Sequence, residues 1–175
     1  YIRIAKKTPN RDIVIDLCVK CSDFVTLSMY QLNEFDLDFC LVGSMKHNSE
    51  LEFVECLIAE KKNPVDESIL WDAVTNNRLE HLKILLLVVE NYNQKYLLIR
   101  TILSNNTSIL RYLIEQNYIQ AKYLLECIDE CIIYGSLLML KVFLEYISCT
   151  NQDYANIIFY AVRRNCPEVF HYILD

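Results

Sequence analysis

Residues 68–86 read Ser68-Ile-Leu-Trp-Asp-Ala-Val74, then Thr75-Asn76-Asn77-Arg78, then Leu79-Glu-His-Leu-Lys-Ile-Leu-Leu86. Two apolar stretches flank a short polar turn. In the second stretch Leu82, Leu85 and Leu86 stand at spacings i, i+3 and i+4, which places them on one face of a helix. The same eight-residue pattern recurs at residues 51–58, 107–114, 137–144 and 167–174. The five starts, 51, 79, 107, 137 and 167, are 28, 28, 30 and 30 residues apart. The matching apolar faces are Val54, Leu57 and Ile58; Leu110, Leu113 and Ile114; Leu140, Phe143 and Leu144; and Phe170, Ile173 and Leu174. The fifth position of each copy, Glu55, Lys83, Arg111, Lys141 or His171, turns away from that face and is expected in water.

Two residues before each copy stands Ser49, Asn77, Asn105, Gly135 or Asn165. Asn and Gly tolerate the left-handed backbone that ends one helix and lets the chain reverse. A first helix is therefore predicted upstream, and its apolar residues agree from copy to copy: Leu70, Ala73 and Val74; Leu98, Thr101 and Ile102; Ile128, Cys131 and Ile132; Ile158, Ala161 and Val162. The middle member is small or modest, as close approach between helices requires. A weaker sixth copy is read at residues 12–21 and 23–32. The predicted fold is all-α, an α-solenoid of about five to six short helix-turn-helix repeats. Residues 1–35 form a divergent first repeat or N-terminal cap, and 36–175 the repeats proper. Pairs this short cannot bury their apolar faces alone, so stacking must supply the core.

These residues resemble the ankyrin repeat. Residues 68–86 fall into register with its TPLHxAA first helix, its turn and its LEIVKLLL-like second helix, and the looser copies extend the resemblance over roughly 36–175. Three departures stand out. The family unit is about 33 residues, whereas these are 28 to 30. The Gly-Ala-Asp-hydrophobic-Asn segment that builds the family's β-hairpin finger is missing. Trp71, Ile99, Asp129 and Phe159 replace the family's His. In the copy before Leu51, Gly43 and Lys46 also break the apolar pattern, so that copy is expected to be bent or to act as a partial cap. The abundance of Ile, Asn, Tyr and Lys resembles divergent ankyrin-like proteins of large DNA viruses and AT-rich protists.

The resemblance implies a protein-interaction module that binds another protein through the concave face of the array. The exposed positions seven and three residues before each second helix then form two ladders: Ser44, Asp72, Arg100, Glu130 and Tyr160, and Asn48, Asn76, Ser104, Tyr134 and Arg164. Arg100, Tyr134, Tyr160 and Arg164 are the expected anchors, since Tyr and Arg dominate binding energy at interfaces. The ladders vary while the core columns do not, a pattern shared by a specific binding face and by an unconstrained wet surface. A viral or parasite factor engaging a host protein is one setting. A structural scaffold or spacer in a larger assembly is the alternative, and a regulatory domain of an enzyme a third.

Whole-chain composition narrows the chemistry. Of 175 residues, 53% are hydrophobic and only two are Gly and three Pro, which argues for helix and against an all-β or disordered chain. A net charge of −6 without a basic block offers no footprint for nucleic acid or an anionic membrane. Twelve Tyr would suit base stacking only beside a positive groove; they read instead as helix-face fillers, some of them protein contacts. The strongest apolar run, residues 84–89, is far short of the roughly 20 residues of a membrane span, and the amino end lacks a signal-peptide core. Starting at Tyr1 rather than Met, the chain is expected to be a fragment of a monomeric array.

Eight Cys, at 18, 21, 40, 56, 127, 131, 149 and 166, mostly sit among aliphatic residues, as reduced core thiols do. A cytoplasmic location is expected, with the nucleus open. Cys18-Val-Lys-Cys21 supplies half of a zinc site, and Cys127 with Cys131 falls inside a predicted helix; core thiols are the expectation and a metal is not. His47, His81 and His171 are expected at turns or exposed second-helix faces, and Asp129-Glu130 as solvated helix surface. With neither a nucleophile motif nor a Gly-rich phosphate loop, the chain is expected not to be an enzyme and to carry no cofactor.

Overall fold

The computed structural model describes residues 11–134 and 136–174. Residues 1–10 of the expected N-terminal cap and the expected turn residue Gly135 lie outside them. Among the described residues the fold is all-helical, without strands. It divides into two compact units, one up to Asn91 and one from Tyr92. In the first unit the helices are α1 (Arg11–Cys21), α2 (Phe24–Leu27), α3 (Glu34–His47), α4 (Leu51–Glu60), α5 (Ser68–Thr75) and α6 (Leu79–Val88). In the second they are α7 (Gln94–Leu103), α8 (Thr107–Glu115), α9 (Ala121–Glu126), α10 (Ile128–Ile133), α11 (Leu137–Tyr146), α12 (Asn151–Arg163) and α13 (Pro167–Leu174).

Each unit is built from consecutive helix pairs, and within each unit like packs on like. In the first, α1 packs on α3, α3 on α5, and α4 on α6; in the second, α7 packs on α10, α10 on α12, and α8 on α11. The turns inside the pairs repeat one hydrogen-bonding device. Ser22, Asn48, Asn77, Asn105 and Asn165 hold left-handed backbone, with φ of 52°, 57°, 57°, 50° and 55°. The next residue then returns its N–H to a carbonyl five residues back. The bonds are Asp23 to Cys18 (2.8 Å), Ser49 to Ser44 (3.1 Å), Arg78 to Ala73 (2.8 Å), Asn106 to Thr101 (3.4 Å) and Cys166 to Ala161 (2.8 Å). Ser136 bonds Cys131 in the same way at 2.8 Å. This is the Schellman closure, which satisfies carbonyls that a helix end would leave orphaned.

One turn differs from expectation. In the copy before Leu51 the left-handed residue is Asn48, and Ser49 is buried. Asn48 therefore lies three residues before its second helix, where Asn77, Asn105 and Asn165 lie two before theirs, and the whole first helix shifts by one. Leu41, Ser44 and Met45 now occupy the places of Leu70, Ala73 and Val74, and all three are buried. Ser44, expected on an exposed ladder, instead donates its Oγ–H to the Cys40 carbonyl at 2.7 Å inside the core. The extra turn residue is the physical cause. Lys46 now falls at an exposed position and Gly43 at the contact with α1, and α3 is a single helix of 14 residues. A Cβ on Gly43 would meet Val19 Cγ1 at 3.1 Å, a measure of how closely α1 and α3 approach.

With the register set by the left-handed residue, one column of small side chains runs through all pairs: Cys18, Ser44, Ala73, Thr101, Cys131 and Ala161, every one buried. A second column that sequence reasoning missed is the third residue of the second helices: Phe53, His81, Ile109, Met139 and Val169 are all buried. The residue after the left-handed turn also reaches into the preceding pair. Ser49 Oγ donates to the Val19 carbonyl at 2.7 Å, Arg78 Nε to the Met45 carbonyl at 2.8 Å, and Cys166 Sγ to the Ile132 carbonyl at 3.4 Å. The acceptor is each time the residue that follows the small one. These side chains hold neighbouring pairs in a fixed register within each unit.

Two helices are shorter than expected. The second helix read at residues 23–32 is a single turn, α2, closed by Ser28 Oγ bonding the Val25 carbonyl at 2.9 Å. Asn33 then starts α3 with a capping box, its side chain accepting from Asp36 N–H while the Asp36 carboxylate accepts from Asn33 N–H. Arg11 clamps the same carboxylate through both guanidinium nitrogens, at 2.8 and 2.7 Å. The first helix of the fifth pair is split at Cys127, whose φ of −98° and ψ of 1° leave helical geometry between α9 and α10.

Candidate functional site

The first helices carry the residues that sequence reasoning placed on a binding face. On each, two rows lie one helical turn apart: the backbone N–H groups of Asn76, Ser104, Tyr134 and Arg164 donate to the carbonyls of Asp72, Arg100, Glu130 and Tyr160. All eight stand at least partly in solvent. In α3, with its register corrected, these rows hold Gly43 and His47 in place of the expected Ser44 and Asn48. Asn48 remains exposed, but as the turn residue.

Within the second unit the row side chains differ in how firmly they are held. Arg100 is fixed against Tyr96, with Nε and Nη2 at 3.0 and 2.6 Å from the phenol oxygen and the guanidinium 5.1 Å from the ring centroid. Tyr160 packs edge-on against Phe159. Tyr134 and Arg164 project into solvent. Asp129, expected on a solvated surface, is half-buried in a cleft with Ile128, Asp153, Asn156, Ile157 and Tyr160, and burial raises its carboxyl pKa.

In the first unit a different feature marks the first helices. Ile13 and Leu17 of α1 and Phe35, Phe39 and Val42 of α3 are exposed, Phe35 to 78%. Spacings of four, and of four and three, align each set into a stripe, and the two helices pack side by side. An apolar patch spread over adjacent helices is uncommon on a surface that has no partner. Sequence reasoning passed over it: Ile13, Leu17 and Phe35 fell in the divergent cap, and Phe39 and Val42 lay on neither ladder. The signal was present: α3 is apolar on two faces, one filled by Leu37, Cys40, Leu41 and Met45 and the other by this stripe.

The groups with chemical potential are mostly buried and quiet. His81, expected on an exposed face, is buried, and its Nε2 lies 2.8 Å from the Ser49 carbonyl, so Nε2 carries the proton. Burial outweighs that bond and lowers the imidazole pKa. Since the unfolded chain takes up a proton near pH 6.5 and the folded one only at lower pH, His81 contributes stability above that range and loses it as pH falls. The urea midpoint of the wild type should therefore drop between pH 7.5 and 5 by more than that of His81→Gln, which keeps a donor for Ser49 but does not titrate. Equal drops would show that His81 is solvated.

All eight cysteines are free. Burial pushes the thiol of Cys40 up to about 12 and that of Cys127 up to about 11, and raises Cys18 and Cys131 as well, so all four are protonated and poor nucleophiles at neutral pH. In the Cys18-Val-Lys-Cys21 motif the first thiol is buried and the second exposed. Among the described residues no three His, Cys, Asp or Glu side chains are grouped to hold a metal ion, and no helix is long and apolar enough to cross a membrane. No family model, curated protein or solved structure matches this chain.

Proposed function

We propose that the chain is a protein-interaction module, an α-solenoid of clipped ankyrin-like repeats that engages a partner protein through its first-helix face. The observation that carries this reading is the exposed apolar patch of Ile13, Leu17, Phe35, Phe39 and Val42. It lies in a unit whose core columns, Leu41, Ser44 and Met45 and Leu70, Ala73 and Val74 among them, are buried. The solenoid part is supported by the repeated Schellman turns, the small-residue column and the tethers between neighbouring pairs. The anchors of the second unit are Arg100, Tyr134, Tyr160 and Arg164, with Asp72, Asn76, Ser104 and Glu130 lining the same rows. On this reading the protein is not an enzyme and works in a reducing compartment, the cytoplasm or nucleus. A viral or parasite factor acting on a host protein fits the composition.

The test uses a partner captured with the wild-type chain and two sets of surface changes. Leu17→Asp with Phe39→Asp should weaken its binding by at least about 30-fold, the equivalent of losing one hot spot. Exposed positions such as these should leave the melting temperature nearly unchanged. Replacing Arg100, Tyr134, Tyr160 and Arg164 with Ala should weaken binding as well. Undiminished binding by both variants refutes the first-helix face.

A further inference from the structure

Charge is unevenly spread along the chain. Residues 11–91 hold fifteen acidic and seven basic side chains, whereas residues 92–175 hold eight and seven. Part of that acidity is gathered around one apolar stripe. Phe35, Phe39 and Val42 of α3 are 78%, 48% and 43% exposed, although α3 packs on α1, α4 and α5. Carboxylates border the stripe on both flanks. On α3 itself Glu34 and Asp38 each directly precede a Phe of the stripe. The other flank faces α1, where Gly43 lies against Val19. There Asp12 and Asp16 stand one turn apart, and Asp16 reaches α3, its Oδ1 3.6 Å from His47 Nε2. The neighbouring cations are already engaged: Arg11 with Asp36, Lys20 with Asp16, and Lys61 with both Glu34 and Asp38. Lys46 is exposed one turn beyond Val42, so the attraction for cations is strongest at the amino end of α3.

The stripe has the spacing of one helical face, four residues and then three. The backbone groups beneath it are spent inside α3, so it has none to pair with an extended chain and offers only side chains. A helix is the partner structure that brings apolar side chains with its own backbone already satisfied. The bordering carboxylates add a preference of charge. They attract Lys and Arg placed beside that apolar face, and they repel both an acidic helix and an anionic membrane surface. We infer that the α3 stripe is the docking site for a basic amphipathic helix of the partner protein. Its apolar face lies on Phe35, Phe39 and Val42, and its cations lie against Asp12, Asp16, Glu34 and Asp38. This rests on the protein-interaction reading and supplies the chemistry of the partner.

The probes are two fluorescent peptides of about 18 residues, roughly five helical turns. One is built of Leu and Lys in helical period, and the other has Glu in place of every Lys. Anisotropy with the full chain should show the Lys peptide binding at least about tenfold tighter, its affinity falling as salt rises from about 50 to about 300 mM. Phe35→Ser with Phe39→Ser should weaken the Lys peptide at least about tenfold. Asp12→Asn with Asp38→Asn should weaken it about fivefold and flatten its salt dependence. Glu52→Gln with Glu55→Gln, at exposed acids of α4, should leave it unchanged. Equal losses from the two acid pairs, or no loss from the Phe pair, would overturn the inference, because binding would then be diffuse attraction to an acidic unit. So would a chain that sediments as a dimer broken by Phe39→Asp, since the occupant would be a second copy. Tighter binding of the Lys peptide after Arg3→Gln, Lys6→Gln and Lys7→Gln would overturn it too, by making the chain's own first residues the occupant. If the Lys peptide fails to bind while Leu17→Asp with Phe39→Asp still abolishes capture of the partner, the binding face stands and only the basic helix falls.

Discussion

Leu85→Asp removes the cooperative unfolding transition of the first unit at 25 °C. Leu85 is fully buried in α6, a helix that packs against both α5 and α4. An ionised carboxylate at a fully buried site is strongly disfavoured, and even when it protonates to escape, its pKa must rise by roughly 3 to 5 units. That cost adds to the transfer energy lost with the leucine, roughly 1.5 to 3 kcal/mol. Against a total stability of roughly 5 to 15 kcal/mol for a domain, little of the fold survives. Circular dichroism melts and hydrogen exchange over residues up to Asn91 read the effect. Leu85→Met, which conserves volume, should cost less than about 1.5 kcal/mol, separating the charge from mere disturbance of the site. A melting curve for Leu85→Asp that matches the wild type would mean that α4, α5 and α6 do not share a core.

Phe143→Ala should be the most damaging truncation in the second unit. The ring is fully buried in α11, which packs against α10 and α8. Deleting it forfeits the apolar contact area and leaves a cavity that neighbouring helices fill only in part, together roughly 3 to 5 kcal/mol. For a unit of this size each kcal/mol lowers the melting temperature by roughly 4 to 8 °C, so a drop above about 12 °C is expected. Exchange rates of amides from Tyr92 onward are the local readout. Phe143→Leu keeps most of the volume and should recover most of the loss. A cost below about 1 kcal/mol for Phe143→Ala would show that the ring lies at a surface.

Much of the architecture is legible in the residues because two local rules repeat. Apolar spacing of three and four marks each second helix, and Asn77, Asn105 and Asn165 stand where a left-handed residue must end the first, a conformation that costs Asn little. Where two adjacent residues both suit a turn, the local rule is silent. Asn48 and Ser49 are such a pair, and the choice moved the register of α3 by one, burying Ser44. His81 misled for a related reason. Its polarity argued for water, but its column is otherwise Phe, Ile, Met and Val, and the Ser49 carbonyl gives its proton a partner that only a neighbouring pair can supply.

The candidate binding face was less legible than the fold. Arg100, Tyr134, Tyr160 and Arg164 were placed by counting back from each second helix, and counting holds wherever the turn has its usual length. The apolar patch on α1 and α3 needed more than counting. Phe35, Phe39 and Val42 have the spacing of a core stripe, and a helix with two apolar stripes does not say which one its neighbours will cover.

The order of residues alone was enough for the helical period, the paired units of 28 to 30 residues and the small residue at each close approach, because all three are set by backbone geometry within a few turns. Which apolar surfaces stay open was settled only by the packing of one pair on the next. Ile132 occupies the same place in its repeat as Val74 and follows the same local rules, and it is buried because α12 packs on α10. Burial belongs to the neighbour that covers a residue, and the local sequence does not name that neighbour.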